Sequence, residues 1–151
     1  MSNIQAAIGC AQMERIEELI QRKREIFTNY RLHLSTLDGV STNPEAHGNI
    51  NGAWMPTAVF APHTDVHASE LLSALERANI DARVFFHPLS GLPMFQRATR
   101  AEHAHDICGR AINLPSFHDM TREDQHRVIS VLTDCYQSRR RGTLSIDANA
   151  R

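Results

Sequence analysis

Lysine is nearly absent from this chain. Lys23 is the only one in 151 residues, so any chemistry that needs a lysine has a single candidate. Cysteine is scarce as well. Cys10, Cys108 and Cys135 are odd in number, widely spaced and form no CxxC pair. Such a set suits buried thiols in a reducing compartment better than a disulfide framework or a zinc site. Neither sign of charge prevails, with 16 Lys and Arg against 17 Asp and Glu. That balance excludes the electrostatic footprint of a nucleic-acid or anionic-membrane binder. No apolar run approaches the ~20 residues that cross a bilayer. The N-terminus lacks the charged segment and apolar core of a secretion signal, and the expected location is the cytoplasm. HExxH, GxSxG, GxGxxG and P-loop patterns are all missing.

What is present reads as one soluble domain, long enough to bury about two-thirds of its unfolded surface. From Ser2 to about Leu34 a single long amphipathic helix is expected. Ile4, Ile8, Ala11, Ile16, Leu19, Ile20, Phe27, Tyr30 and Leu34 recur at helical spacing, and Ser2 or Asn3 can cap the first turn. Its opposite face mixes Glu14, Arg15, Glu17, Glu18, Arg22, Lys23, Arg24 and Glu25 and is read as solvated. A helix this long suits a connector between two domains.

Asp38-Gly39 and residues 41–52 read as turns and loop. Ala53 to Ala61 reads as a strand, with Pro56 forcing an edge position or a bulge. Thr64 or Asp65 can cap a helix running to about Ala78, with Leu71, Leu72, Leu75 and Ala78 on its buried face. Ile80 to His87 reads as a second strand, 89–95 as loop, 101–110 as a short helix, and 111–114 as a brief strand. A last helix follows from Thr121 to about Tyr136, with Asp124 at capping-box spacing. Residues 139–151, with Arg139, Arg140 and Arg141, read as a polar, disordered tail. The order predicts an α/β (α+β) domain: a long N-terminal helix plus a small mixed sheet with helices.

Residues with chemical capacity are few. His63 and His67 are four apart, but His63 precedes the expected cap. Glu102, His103, His105 and Asp106 form a dense polar cluster, yet histidines two apart face different sides of a helix. Exposed polar side chains are the expectation there, and a metal-binding role is the weakest reading. The segment 83–95, RVFFHPLSGLPMF, joins an aromatic strand end to a loop punctuated by Pro88, Gly91 and Pro93, a place where scaffolds hold ligand contacts.

Four stretches in order carry a resemblance. QAAIGCAQMERIEELIQRKR, NGAWMPTAVF, ANIDARVFFHPLSGLPMF and AINLPSFHDMTREDQHRVISVL are similar to the C-terminal small domain of sugar-nucleotide aminotransferases of the DegT/DnrJ/StrS type. The loop variant looks closest to the perosamine-synthase-like branch. The resemblance spans Met1 to about Tyr136. It implies residues 1–138 as the small domain of a fold-type I aminotransferase, with 1–34 as the connecting helix. It also implies a large cofactor domain as partner, homodimers, and amino transfer from glutamate to a keto-sugar nucleotide. Pyridoxal phosphate serves as electron sink in that family, held on a lysine of the large domain.

By the same resemblance, Arg83, Phe86, His87 and Ser90 lie on the strand and loop that face the sugar nucleotide or the active-site mouth, and are the implied substrate-binding residues. No catalytic, cofactor-binding or metal residue is assigned in this chain, because Lys23 matches the family's surface run and not its cofactor lysine. Relatives carry a methionine at the position of Met1 in mid-protein. The chain is therefore expected to be a fragment, inactive and without pyridoxal phosphate by itself. The alternatives are a complementing or regulatory module for a separately encoded large domain and, more weakly, a small metal-binding protein.

Overall fold

The computed structural model describes residues 1–95 and 101–149. The expected single N-terminal helix is two: α1 spans Asn3–Glu14 and α2 spans Ile16–Leu34. Ser2 caps α1 and forms a reciprocal pair with Gln5, whose side-chain oxygen accepts the Ser2 N–H at 2.8 Å. The break is at Arg15, where φ is −111° and ψ 10°. α1 buries no residue, whereas α2 buries Ile26, Phe27, Tyr30 and Leu34. Core contacts therefore fix the axis of α2, while α1 is joined to it only through the backbone around Arg15, whose N–H bonds the Gln12 carbonyl and whose carbonyl accepts from Leu19, among the described contacts.

Strands β1 (Val40–Thr42) and β2 (Thr57–Phe60) come next, then helix α3 (Ala68–Arg77), strand β3 (Arg83–Val84), helix α4 (Glu102–Cys108), strand β4 (Ala111–Asn113) and helix α5 (Arg122–Asn149). The sheet order is β1-β2-β4-β3, and every pairing is antiparallel. This corrects the expected mixed sheet. β2 and β3 run the same way on either side of α3, but β4 enters the gap between them in the opposite sense, a split β-α-β arrangement. β1 lies inside the stretch read as loop, and its three residues are too few to show a period of two.

Along β2, Ala58 and Phe60 point to the helices with Ile112 of β4, and all three are fully buried. They meet Ile26, Tyr30 and Leu34 of α2, Leu71 and Leu75 of α3, and Val128 and Leu132 of α5. The opposite face of the sheet buries a polar pair, Thr57 Oγ1 donating to Asn113 Oδ1 at 2.8 Å.

Cap positions differ in part from expectation. Pro62–Thr64 is a separate 3-10 turn that ends at Asp65 with a left-handed φ of 52°. The N-cap of α3 is consequently His67, whose N–H is accepted by Glu70. Leu71 and Leu75 are buried as expected, while Ala78 falls past the end of α3. Thr121 and Asp124 do form the reciprocal cap, at 3.0 Å in each direction.

α5 continues to Asn149, past the tail boundary expected at residue 138; residues 150 and 151 lie outside the described residues. No proline interrupts this stretch, and its first arginines are tied down. Arg139 reaches Glu70 and Asp65 near the start of α3. Arg140 donates to the Tyr136 hydroxyl and lies 3.6 Å from Asp38.

The charged face of α2, read as solvated, instead fastens two loops. Arg22 donates to the carbonyls of His118 and Met120. Lys23 donates to the carbonyl and hydroxyl oxygens of Ser116. Arg24 binds Glu45 at 2.9 Å and the Asn51 carbonyl. The helical spacing that marked these residues as one exposed face could not reveal that two loops fold back onto it.

The loop from Asn43 to Pro56 is further braced from within. Asn43 accepts the Thr57 N–H at 2.7 Å, Glu45 accepts the Asn51 N–H at 2.8 Å, and Asn51 accepts the Ala53 N–H at 2.8 Å. The Arg24 guanidinium, then the Asn51 amide, hold the Glu45 carboxyl below its usual value. A carboxylate lowered on folding stabilises above its unfolded pKa and loses that contribution as pH falls through the lowered value. The expected result is that emission from Trp54, the only tryptophan, stays constant from neutrality through the ordinary carboxylate range and changes only below it. Glu45→Gln should abolish that acid transition; a transition in the parent at or above the ordinary range would contradict the assignment.

Candidate functional site

The expected site residues lie on β3 and the segment that leaves it. β3 is a two-residue edge strand, so the ladder alone holds it weakly. Its second fastening is Asn113, whose side chain donates to the Val84 carbonyl at 3.1 Å while its oxygen accepts from Thr57. Asn113 is buried and polar, and no motif in the sequence marks it. Arg83 stands in register with Asn113 and points to solvent, where it pairs with Asp81 at 3.0 Å.

Beyond β3 the chain passes through Phe85 and Phe86, which meet edge to face at 6.0 Å between ring centres. Phe86 is 60% exposed, and His87 is exposed as well. A single 3-10 turn, Leu89–Gly91, follows Pro88. Ser90 Oγ lies 2.9 Å from His105 Nε2 of α4. Among the described residues, no hydrogen bond, ion pair or ring contact joins any two of Arg83, Phe86, His87 and Ser90. They form an open, strip-like surface.

Two further groups sit around this strip. A cavity of about 260 Å³ is lined by Asp81, Pro115, Phe117, Met120 and Arg127, among others. It opens at the end of the sheet where Arg83 begins β3. Two members of the polar cluster at 102–106 are engaged with other partners. Asp106 binds Arg110, whose hydrogen bond is the main reason its carboxyl is held low, and His105 is engaged with Ser90. Among the described residues, no group of three or more His, Cys, Asp or Glu side chains is placed to hold a metal ion.

Lys23 is partly buried against Ser116, and burial lowers its pKa. Its ammonium is a fastening for the 115–120 loop.

These elements define the small-domain fold of sugar aminotransferases. The crystal structure of DesI in the presence of its TDP-sugar product matches with a TM-score of 0.83 at 23% identity, covering 97% of this chain and 38% of that one. The sequence places the chain more narrowly. It belongs to the DegT/DnrJ/EryC1/StrS aminotransferase family, whose pattern matches residues 1–133. It is 33% identical to the putative pyridoxal phosphate-dependent aminotransferase EpsN of Bacillus subtilis, over 91% of this chain and 37% of that protein. It is 34% identical to the GDP-perosamine synthase of Vibrio cholerae, over 78% of this chain and 32% of that protein. The chain thus spans about a third of the length of the curated relatives it matches.

Lys23, the only lysine, does not fit as the anchor of the pyridoxal phosphate that the family implies. Its anchoring requires an accessible lysine of lowered pKa beside a site for the ring, and the sole lysine is spent on Ser116.

The Ser90 and His105 contact is expected to govern the local order of the turn. Ser90→Ala or His105→Ala should speed hydrogen exchange of the Gly91 and Leu92 amides, which donate to the Pro88 and Leu89 carbonyls. Global stability should fall by no more than about 1 kcal/mol. Unchanged exchange at those amides would show that the turn is held by other contacts.

Proposed function

We propose that this chain is the small-domain portion of a pyridoxal-phosphate-dependent aminotransferase acting on sugar nucleotides, and that it is inactive without a large domain. The complete enzyme would move an amino group from glutamate to a keto-sugar nucleotide, of the perosamine kind suggested by the relatives' names. The observation that carries this reading is the commitment of Lys23 to Ser116 within a chain whose family pattern matches residues 1–133. The chain has the family's sheet and its substrate-facing strip, yet has no residue on which the cofactor could be anchored. In this reading Arg83, Phe86, His87 and Ser90 contact the sugar nucleotide, pairs of complete enzymes associate as homodimers, and the work is done in the cytoplasm.

A second reading, a complementing module for a separately encoded large domain, is favoured by the exposure of α1. Ile4, Ile8 and Met13 are 75%, 60% and 64% exposed on a helix that buries nothing. A helix of twelve residues is marginal by itself in water, so a partner surface is needed to stabilise it.

Both readings are tested by purifying the chain alone and together with a large domain from a related aminotransferase. Alone, the chain should leave the visible spectrum of added pyridoxal phosphate unchanged and show no amino transfer. Transfer from glutamate to a keto-sugar nucleotide by the mixture, but not by either part, supports complementation. Transfer by the chain alone would overturn the proposal.

A further inference from the structure

We propose that Trp54 is a stacking platform for the base of a nucleoside diphosphate, with Arg83 as the cation that takes its phosphate; this rests on the sugar-nucleotide reading above. Trp54 is 71% exposed, an unusual position for the largest apolar side chain unless it has a partner. The loop that carries it is rigid. Ala53, immediately before it, is buried at a left-handed φ of 50°, a conformation costly for a residue with a Cβ. Asn51 holds the Ala53 amide, and Arg24 and Glu45 hold Asn51. Strain kept in place by a network and spent on presenting one ring is the pattern of a preorganised contact.

The placement of the ring favours a nucleotide. The Leu114 amide donates to the Pro56 carbonyl, which carries the β2–β4 ladder past Thr57 toward Trp54. Thr57 stands opposite Asn113, and Asn113 stands opposite Arg83. Two strand spacings separate β2 from β3, about 10 Å. One end of the sheet therefore carries an exposed indole and an exposed guanidinium. A flat ring and a cation at the same end of the sheet, two strands apart, match a ligand that joins an aromatic base to an anionic group. In this structure Asp81 holds Arg83 in an exposed pair, which is weak enough to be exchanged for a phosphate.

Trp54 is its own reporter, because no other tryptophan contributes. The chain is titrated with GDP, dTDP and inorganic pyrophosphate while Trp54 emission is followed, and GDP affinity is measured separately by equilibrium dialysis. The proposal expects saturable quenching by both nucleotides and none by pyrophosphate. Trp54→Ala should weaken GDP binding about tenfold or more, and Trp54→Phe, which keeps a ring, should restore most of it. Arg83→Gln should weaken binding without altering the quench at saturation. GDP binding that is indifferent to Trp54→Ala overturns the platform and leaves the sugar-nucleotide reading standing. The absence of any nucleotide binding, with Trp54 becoming shielded only when a large domain is added, overturns the platform in favour of a protein contact. The aminotransferase reading is then decided separately by the complementation assay.

Discussion

The packing of α2 against the sheet is the interaction on which the rest of the molecule depends. Ile26, Tyr30 and Leu34 are fully buried against β2, β4 and α5. Tyr30 also places its hydroxyl on the Pro115 carbonyl at 3.0 Å. Burial in that core drives its pKa upward and keeps it a neutral donor. One turn earlier, Arg22, Lys23 and Arg24 reach sideways to both loops at the far end of the sheet. Hydrophobic burial fixes the axis of α2, and that fixed axis makes the three cations effective as fastenings. A charged side chain holds a loop well only when its own backbone does not move.

The consequences reach the candidate site through two loops. The Asn43–Pro56 loop carries Trp54, and the 115–120 loop carries Phe117; both are fastened to α2. Arg83 is tied to the same frame through Asn113 and Thr57, a buried polar pair whose hydrogen bonds are satisfied. Past Val84 the strip changes character: Phe86 and His87 are exposed, and the next polar fastening is Ser90 on His105. One end of the strip is rigid and the other is held by a single side-chain contact.

Much of the fold was legible because its longer elements bury apolar faces at regular spacing. Phe27, Tyr30 and Leu34 in α2 and Leu71 and Leu75 in α3 followed from period, whereas Ile26 was not read into that face. The Thr121 and Asp124 cap followed from residue type. Strands of two to four residues carry no usable period, so β1 was missed and the antiparallel insertion of β4 was not foreseen. The break at Arg15 had no proline or glycine to announce it. Of the candidate site, the 83–95 segment was marked by its aromatic residues and its Pro and Gly punctuation, and Arg83, Phe86, His87 and Ser90 were assigned through resemblance. Asn113, His105 and the Lys23 fastening lay outside it because each acts across a long sequence separation. Trp54 was read as part of a strand, whereas β2 begins only at Thr57.

The central claim is that core burial of α2 organises this domain while α1 buries no residue in it. Native-state hydrogen exchange, resolved by residue, tests this directly. The account predicts that amides from Ile26 to Leu34 exchange only with global unfolding, together with those of β2, β4 and the first turns of α5, while amides 6–14 exchange far faster. Slow exchange throughout α1, or exchange of α2 by local opening well below the global stability, would contradict it.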